Sequence, residues 1–129
     1  MDINNNQFQF YRQINKEIKI YFQGWSVDDS KAVICLVHGL GEHSGRYNQL
    51  AKFFNKNNYS VIAVDLYGHG KSGGKRGHIP TYSVLMENIS LLLKESNDKF
   101  KQLPSFLYGH SLGGNLVLNY VLKYQNDLE

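Results

Sequence analysis

Five residues near the end of the chain carry its sharpest chemical signal: Gly109-His110-Ser111-Leu112-Gly113, a G-x-S-x-G. The apolar run "PSFLYG" (104–109) leads into them, and Leu116, Val117, Tyr120, Val121 and Tyr124 follow at helical spacing. A serine on a sharp turn between a strand and a helix has its hydroxyl held out, as a nucleophile attacking a carbonyl carbon requires. The turn strains the backbone, and small residues at 109 and 113, with Gly114 beyond them, keep neighbouring chain segments clear of it.

Attack on a carbonyl places negative charge on its oxygen, which preorganised N–H groups must stabilise. The Leu112 N–H, directly after the serine, is one candidate donor. "VHGLGEHSGRY" (37–47) follows another apolar run, and its Leu40 N–H is the second. His38, Gly39, Gly41, Gly109, His110 and Gly113 are read as supporting residues. His38 and Arg46 are expected to hold the loop by hydrogen bonds and not to take part in chemistry.

Two other ligand chemistries fit less well. His38 and His43 lack a third metal ligand at a sensible spacing, so no metal site is expected. In "DLYGHGKSGGKRGH" (65–78), Gly68, Gly70 and Gly73 match G-x-G-x-x-G, with Glu87 further on. A dinucleotide site needs a helix to open at once behind the glycines, but "GKRGHIP" intervenes and no helix starts before Pro80. Gly70-Lys71-Ser72 resembles the end of a P-loop, yet Asp65 stands where its first glycine belongs. This stretch is read as a tight turn in which glycines supply positive φ and Asp65 ties the loop together.

The elements that must position these residues follow from periodicity. "QFQFYRQ" (7–13) and "EIKIYFQ" (17–23) alternate apolar and polar residues around Asn15, which predicts an antiparallel hairpin with Phe8, Phe10, Ile18, Ile20 and Phe22 on one face. "GWSVDDS" is expected to be a loop. "AVICLV" (32–37) and "YSVIAVD" (59–65) read as strands buried on both faces, with Cys35 a plain buried thiol. Tyr47, Leu50, Ala51 and Phe54 mark one helix. A second helix of about four turns opens at Pro80-Thr81 and runs from Tyr82 to Leu93. The sum is a hairpin followed by alternating strands and helices, an α/β fold with a parallel sheet flanked by helices.

The 129 residues suit one domain, and 42% hydrophobic with 19% charged residues is ordinary globular composition. The net charge is +3 with only Lys71, Lys75 and Arg76 clustered, too little for a nucleic-acid footprint. One cysteine excludes an internal disulfide. "MDINNNQFQF" has no basic start and no apolar core, and no apolar run approaches the length of a membrane span. A cytoplasmic protein is expected, its oligomeric state open.

Taken together, "HGLGEHSGRY", "DLYGHGKSGGKRGH", "GHSLGG" and the earlier Gly24-Trp25 resemble the α/β-hydrolase superfamily, and within it the monoacylglycerol lipase and lysophospholipase group, also filed with serine aminopeptidases. The resemblance spans nearly the whole chain from about residue 8 and implies strand order 1-2-4-3-5. It implies Ser111 as nucleophile, the Leu40 and Leu112 amides as oxyanion hole, and a lipid or other carboxylic ester as small-molecule substrate. No metal or organic cofactor is implied.

In that superfamily a triad acid and then a histidine follow the serine. All five histidines here precede Ser111, and Asp127 and Glu129, the only later acids, stand too close behind the last helix. His110 is expected to diverge from its neighbour on the turn, and His69 is a weak substitute base. The triad acid and His are thus expected to be outside this chain. It reads as a single, incomplete domain without strands 6–8 or the cap, the part through which peripheral membrane contact would run. Its last strand would then keep an unpaired edge, open to aggregation or to another chain. The expected function is a serine hydrolase of monoacylglycerol or lysophospholipid type, nearly inactive as these residues alone. The alternative is a non-catalytic module or degenerate remnant of the same fold.

Overall fold

A computed structural model describes residues 6–124. Its sheet is built from β1 (Gln7–Gln13), β2 (Lys19–Trp25), β3 (Ala32–Val37), β4 (Tyr59–Val64) and β5 (Ser105–Gly109), with α1 (Asn48–Lys56), α2 (Tyr82–Lys99) and α3 (Leu112–Tyr124) between and after them. The strand order is β1-β2-β4-β3-β5. β1 and β2 are antiparallel, β2 meets β4 antiparallel, and β4, β3 and β5 run parallel. This is the α/β architecture and order expected above.

Helices cover both faces because the central strands are apolar on both. Val33, Cys35 and Val37 of β3 join a core with Leu85, Ile89 and Leu92 of α2 and Leu116 of α3. Their neighbours Ile34 and Leu36 point the other way and pack with Ala51 of α1 and Trp25. All six residues of β3 are buried. Cys35 lies in this interior, and its burial raises the thiol to about 11, so it is not a nucleophile at neutral pH.

β2 starts at Lys19 instead of residue 17, and two further boundaries differ from the sequence reading for reasons of packing. Gly24 and Trp25 belong to β2, where Gly24 pairs with Phe8 and Ile62, and Trp25 with Gln7 and Val61. Gly24 looks like the start of a loop, but it is needed inside the strand. A Cβ there would lie 2.1 Å from Cζ at the tip of the Phe8 ring, which reaches over the bare backbone. The second helix also runs beyond Leu93 to Lys99. Its last turns carry Glu95 and Ser96, polar in sequence yet buried. Arg12 of β1 holds Glu95 through both guanidinium branches, so the ion pair clamps the hairpin onto α2.

Candidate active site

The C-terminal ends of β3, β4 and β5 bring three loops together. At the first, β5 ends at Gly109 and α3 begins at Leu112, leaving two residues for the reversal. Ser111 takes up the strain with φ of 56°, a left-handed conformation that non-glycine residues rarely adopt. The glycines explain how it is tolerated. A Cβ on Gly109 would sit 2.3 Å from the Gly113 carbonyl oxygen, and one on Gly113 would sit 2.1 Å from that of Val37. The strand, the turn and the helix therefore touch backbone to backbone. Ser111 itself is exposed.

The loop after β3 lies against this turn. A Cβ on Gly39 would be 3.1 Å from the His110 carbonyl oxygen and 3.3 Å from the Ser111 Cβ, so Gly39 lies directly beside the serine. Leu40, next in the chain, is exposed, and Gly41 turns the backbone away with φ of 73°. Neither the Leu40 nor the Leu112 N–H donates to an acceptor among the described residues. The two loops meet at Gly39 and Ser111.

His38 is fully buried beneath them. Its Nδ1–H donates to the Gly39 carbonyl at 2.7 Å, and its Nε2 accepts the Leu66 N–H at 3.0 Å. That pattern fixes a neutral imidazole, and burial lowers its pKa. The ring therefore tethers the β3 loop to the β4 loop.

Sequence reasoning passed over Glu42, the residue that organises this loop. Its Oε1 accepts from the Gly39 N–H at 2.7 Å, the Tyr47 hydroxyl at 2.9 Å and His110 Nδ1 at 3.2 Å, while Oε2 pairs with Arg46 at 2.9 Å. Partial burial alone would raise the carboxyl, but the bonds from Tyr47, Gly39 and His110 and the Arg46 charge bring it down to about 2. The only sequence signal was an acid three residues beyond a glycine whose amide needs an acceptor.

Because the folded pKa lies below the unfolded value, this carboxylate contributes stability in full above about pH 4.5 and loses it as pH falls toward 2. Glu42→Gln should lower stability at pH 7 by on the order of 1–2 kcal/mol, after discounting for nearby solvent. The difference between the two proteins should shrink to nothing near pH 2, as urea titrations at a series of pH values would measure.

The glycine-rich loop after β4 folds back on itself. Gly68 N–H donates to the Gly73 carbonyl, Gly77 N–H to the Gly68 carbonyl, and Arg76 bonds the carbonyls of Gly70 and Gly74. Asp65 accepts from the Ser44 N–H at 2.7 Å and the Lys71 N–H at 2.9 Å, joining this loop to the one bearing Leu40. A Cβ on Gly70 (φ 52°) would collide with that carboxylate at 2.2 Å. The amides of Gly68, Lys71, Ser72 and Gly73 are already used within the protein, and α2 opens only at Tyr82.

No described histidine makes a hydrogen bond to the Ser111 hydroxyl. His110 is held by Glu42, with its ring edge-on to Tyr47. His69 is buried, its Nδ1 bonded to the Tyr67 carbonyl and its Nε2 without a partner. His43 caps the short 3-10 turn at Ser44–Tyr47. Asp127 and Glu129 lie outside the described residues. Among the described residues no group of three His, Cys, Asp or Glu side chains is placed to hold a metal, and no helix is long and apolar enough to cross a membrane.

A mixed sheet in this order, with a strained serine between its last strand and the following helix, defines the α/β-hydrolase fold. Solved structures agree. A carboxyl esterase from Bacillus coagulans superposes over 95% of this chain and 42% of its own, with TM-score 0.81 and 26% identity. A monoacylglycerol lipase from Paleococcus ferrophilus gives TM-score 0.72 at 38% identity, over 84% of this chain and 40% of its own. The family model described as serine aminopeptidase, S33, matches residues 28–129, and the chain belongs to that family. Among curated relatives, the monoacylglycerol lipase of Mycolicibacterium smegmatis is 36% identical over 85% of this chain and 40% of its own length. The human monoglyceride lipase is 38% identical over 68% of this chain and 29% of its own. The chain spans about two-fifths or less of the lengths of these relatives.

Proposed function

We propose that this chain is the nucleophile-bearing part of a serine hydrolase acting on carboxylic esters, of monoacylglycerol or lysophospholipid type. The observation that carries the reading is Ser111, strained and exposed, beside the Gly39 loop, with no acceptor bonded to the Leu40 or Leu112 N–H among the described residues. Its relatives are monoacylglycerol lipases and esterases, which supports an ester substrate. The Ser111 Oγ attacks the ester carbonyl while its proton passes to a base. The carbonyl oxygen, now negative, accepts from the Leu40 and Leu112 N–H groups. Collapse expels the alcohol, which takes up that proton, and leaves an acyl-serine that water hydrolyses by the same route.

The base and the acid that orients it must come from polypeptide other than the described residues, since no histidine here reaches the serine. Ser111 of residues 1–129 should therefore react with a fluorophosphonate slowly, yet at that site alone, as peptide mass mapping would show. Labelling of wild type and Ser111→Ala to the same extent would refute the assignment. A non-catalytic module of the same fold is the reading that the missing base favours. It predicts that joining an acid- and histidine-bearing segment leaves labelling slow, whereas the hydrolase reading predicts a large acceleration.

A further inference from the structure

We propose that a polar cleft over β1, β2 and β4 binds the phosphate group of a small hydroxylated phosphomonoester. The cleft has a volume of about 380 Å³, the size of a small-ligand site. Its floor is formed by Gln9, Tyr21 and Gln23 of the hairpin, and its walls by His43 of the β3 loop and Lys71 of the β4 loop. None of Gly39, Leu40, His110 and Ser111 lines it, so it is separate from the candidate nucleophile. The three strands beneath it are also those farthest from β5. The site stands whether or not Ser111 attacks an ester.

The hydrogen bonds already made decide what each group has left to offer. Gln9 and Gln23 are directly opposed across β1 and β2. The Tyr21 hydroxyl donates to Gln9 Oε1 at 2.8 Å, which orients that amide and leaves its Nε2 hydrogens without an acceptor among the described residues. Gln23 Nε2 donates to Ser44 Oγ at 2.7 Å, so Gln23 Oε1 is left to accept. His43 Nδ1 accepts the Gly45 N–H at 3.1 Å, which places the ring proton on Nε2 and makes that nitrogen a donor. Lys71 Nζ stands 5.0 Å from the centre of the Tyr21 ring, and no carboxylate pairs with it among the described residues.

The cleft therefore presents three donors, one of them a cation, and a neutral acceptor. The three terminal oxygens of a phosphomonoester match Gln9, His43 and Lys71, and a hydroxyl on its carbon skeleton donates to Gln23. A carboxylate has one oxygen too few, and an uncharged polyol leaves Lys71 without a counter-charge. Asp65 also borders the cleft, but it is buried, and its oxygens accept the Ser44 and Lys71 N–H groups. Arg76, bonded to the Gly70 carbonyl, adds a second cation to the same loop, so Lys71 and Arg76 together outweigh that carboxylate. The phosphate meets side chains here, since the Lys71 amide is already spent on Asp65.

Titrating the ¹⁵N-labelled chain with glycerol 3-phosphate in about 0.15 M NaCl screens non-specific attraction. It should move the side-chain amide signals of Gln9 and Gln23 and the backbone amides of Gly45 and Lys71, with a Kd on the order of 1 mM. Lys71→Met keeps an apolar stem on the Tyr21 ring but removes the charge. Gln9→Glu keeps the acceptor for Tyr21 but replaces the donor with a negative charge. Each should weaken binding roughly tenfold or more. Inorganic phosphate should bind more weakly for want of the hydroxyl, and glycerol should leave these signals in place. Phosphatidylcholine vesicles with and without phosphatidic acid separate the two sources of such a group. A lipid head is the ligand if the chain sediments with the acidic vesicles and glycerol 3-phosphate releases it; a free phosphomonoester is the ligand if only the soluble probe binds. Neither shifts nor sedimentation would overturn the proposal. So would shifts that glycerol reproduces, shifts confined to other residues, or binding that both variants leave intact.

Discussion

Purified residues 1–129 will turn over p-nitrophenyl esters about 10⁶ times more slowly than an intact hydrolase of this fold, and Ser111→Ala will remove little of what remains. A serine hydroxyl is a weak nucleophile at neutral pH until a base within hydrogen-bonding reach takes its proton. The candidates here are each committed elsewhere. His38 is buried and neutral with both ring nitrogens bonded, His110 is held by Glu42, and His69 donates to a backbone carbonyl. What survives is the proposed oxyanion hole, and such a hole is worth roughly 10³–10⁴ over water where triads have been dismantled. Rates near those of an intact enzyme, abolished in Ser111→Ala, would show that a base had been overlooked and would sink the assignment of roles.

Much of this arrangement could be read from residue order, for physical reasons that also mark the limit. Continuous apolar runs such as "AVICLV" announce strands buried on both faces, and alternating strands and helices leave few topologies open. The strained turn was visible because only glycine leaves room where Gly109 and Gly113 stand. Glu42 was invisible by the same logic. A carboxylate declares its role through what reaches it, and Tyr47, Arg46 and His110 reach it only once two loops have folded together. The far end of α2 was lost for a related reason. Hydropathy periodicity stops at Leu93, whereas the helix continues to Lys99 with Glu95 and Ser96 buried and Glu95 held by Arg12.

Gly113→Ala should be the most damaging single methyl addition among these glycines. The new Cβ would lie 2.1 Å from the Val37 carbonyl oxygen, 2.7 Å from that of His38 and 2.8 Å from the Val37 carbonyl carbon. All three are backbone atoms of β3 or its loop, so no side-chain rotation relieves the contact. Relief requires α3 to lift from the sheet by about 1 Å, which loosens Leu116 in the core and moves Ser111 away from Gly39. A cost of about 4 kcal/mol or more is expected, against roughly 5–15 kcal/mol for the whole stability of a domain. The higher helix propensity of alanine returns only about 1 kcal/mol. Gly114→Ala is the control within the same helix. Its Cβ would meet the Gly109 carbonyl oxygen at 3.3 Å, a contact that a few tenths of an ångström relieves, so its stability should stay within about 1 kcal/mol of wild type. Urea midpoints that put the two variants level would mean that β3 and α3 are not packed backbone to backbone, and Ser111 would then lose the support that holds it beside Gly39.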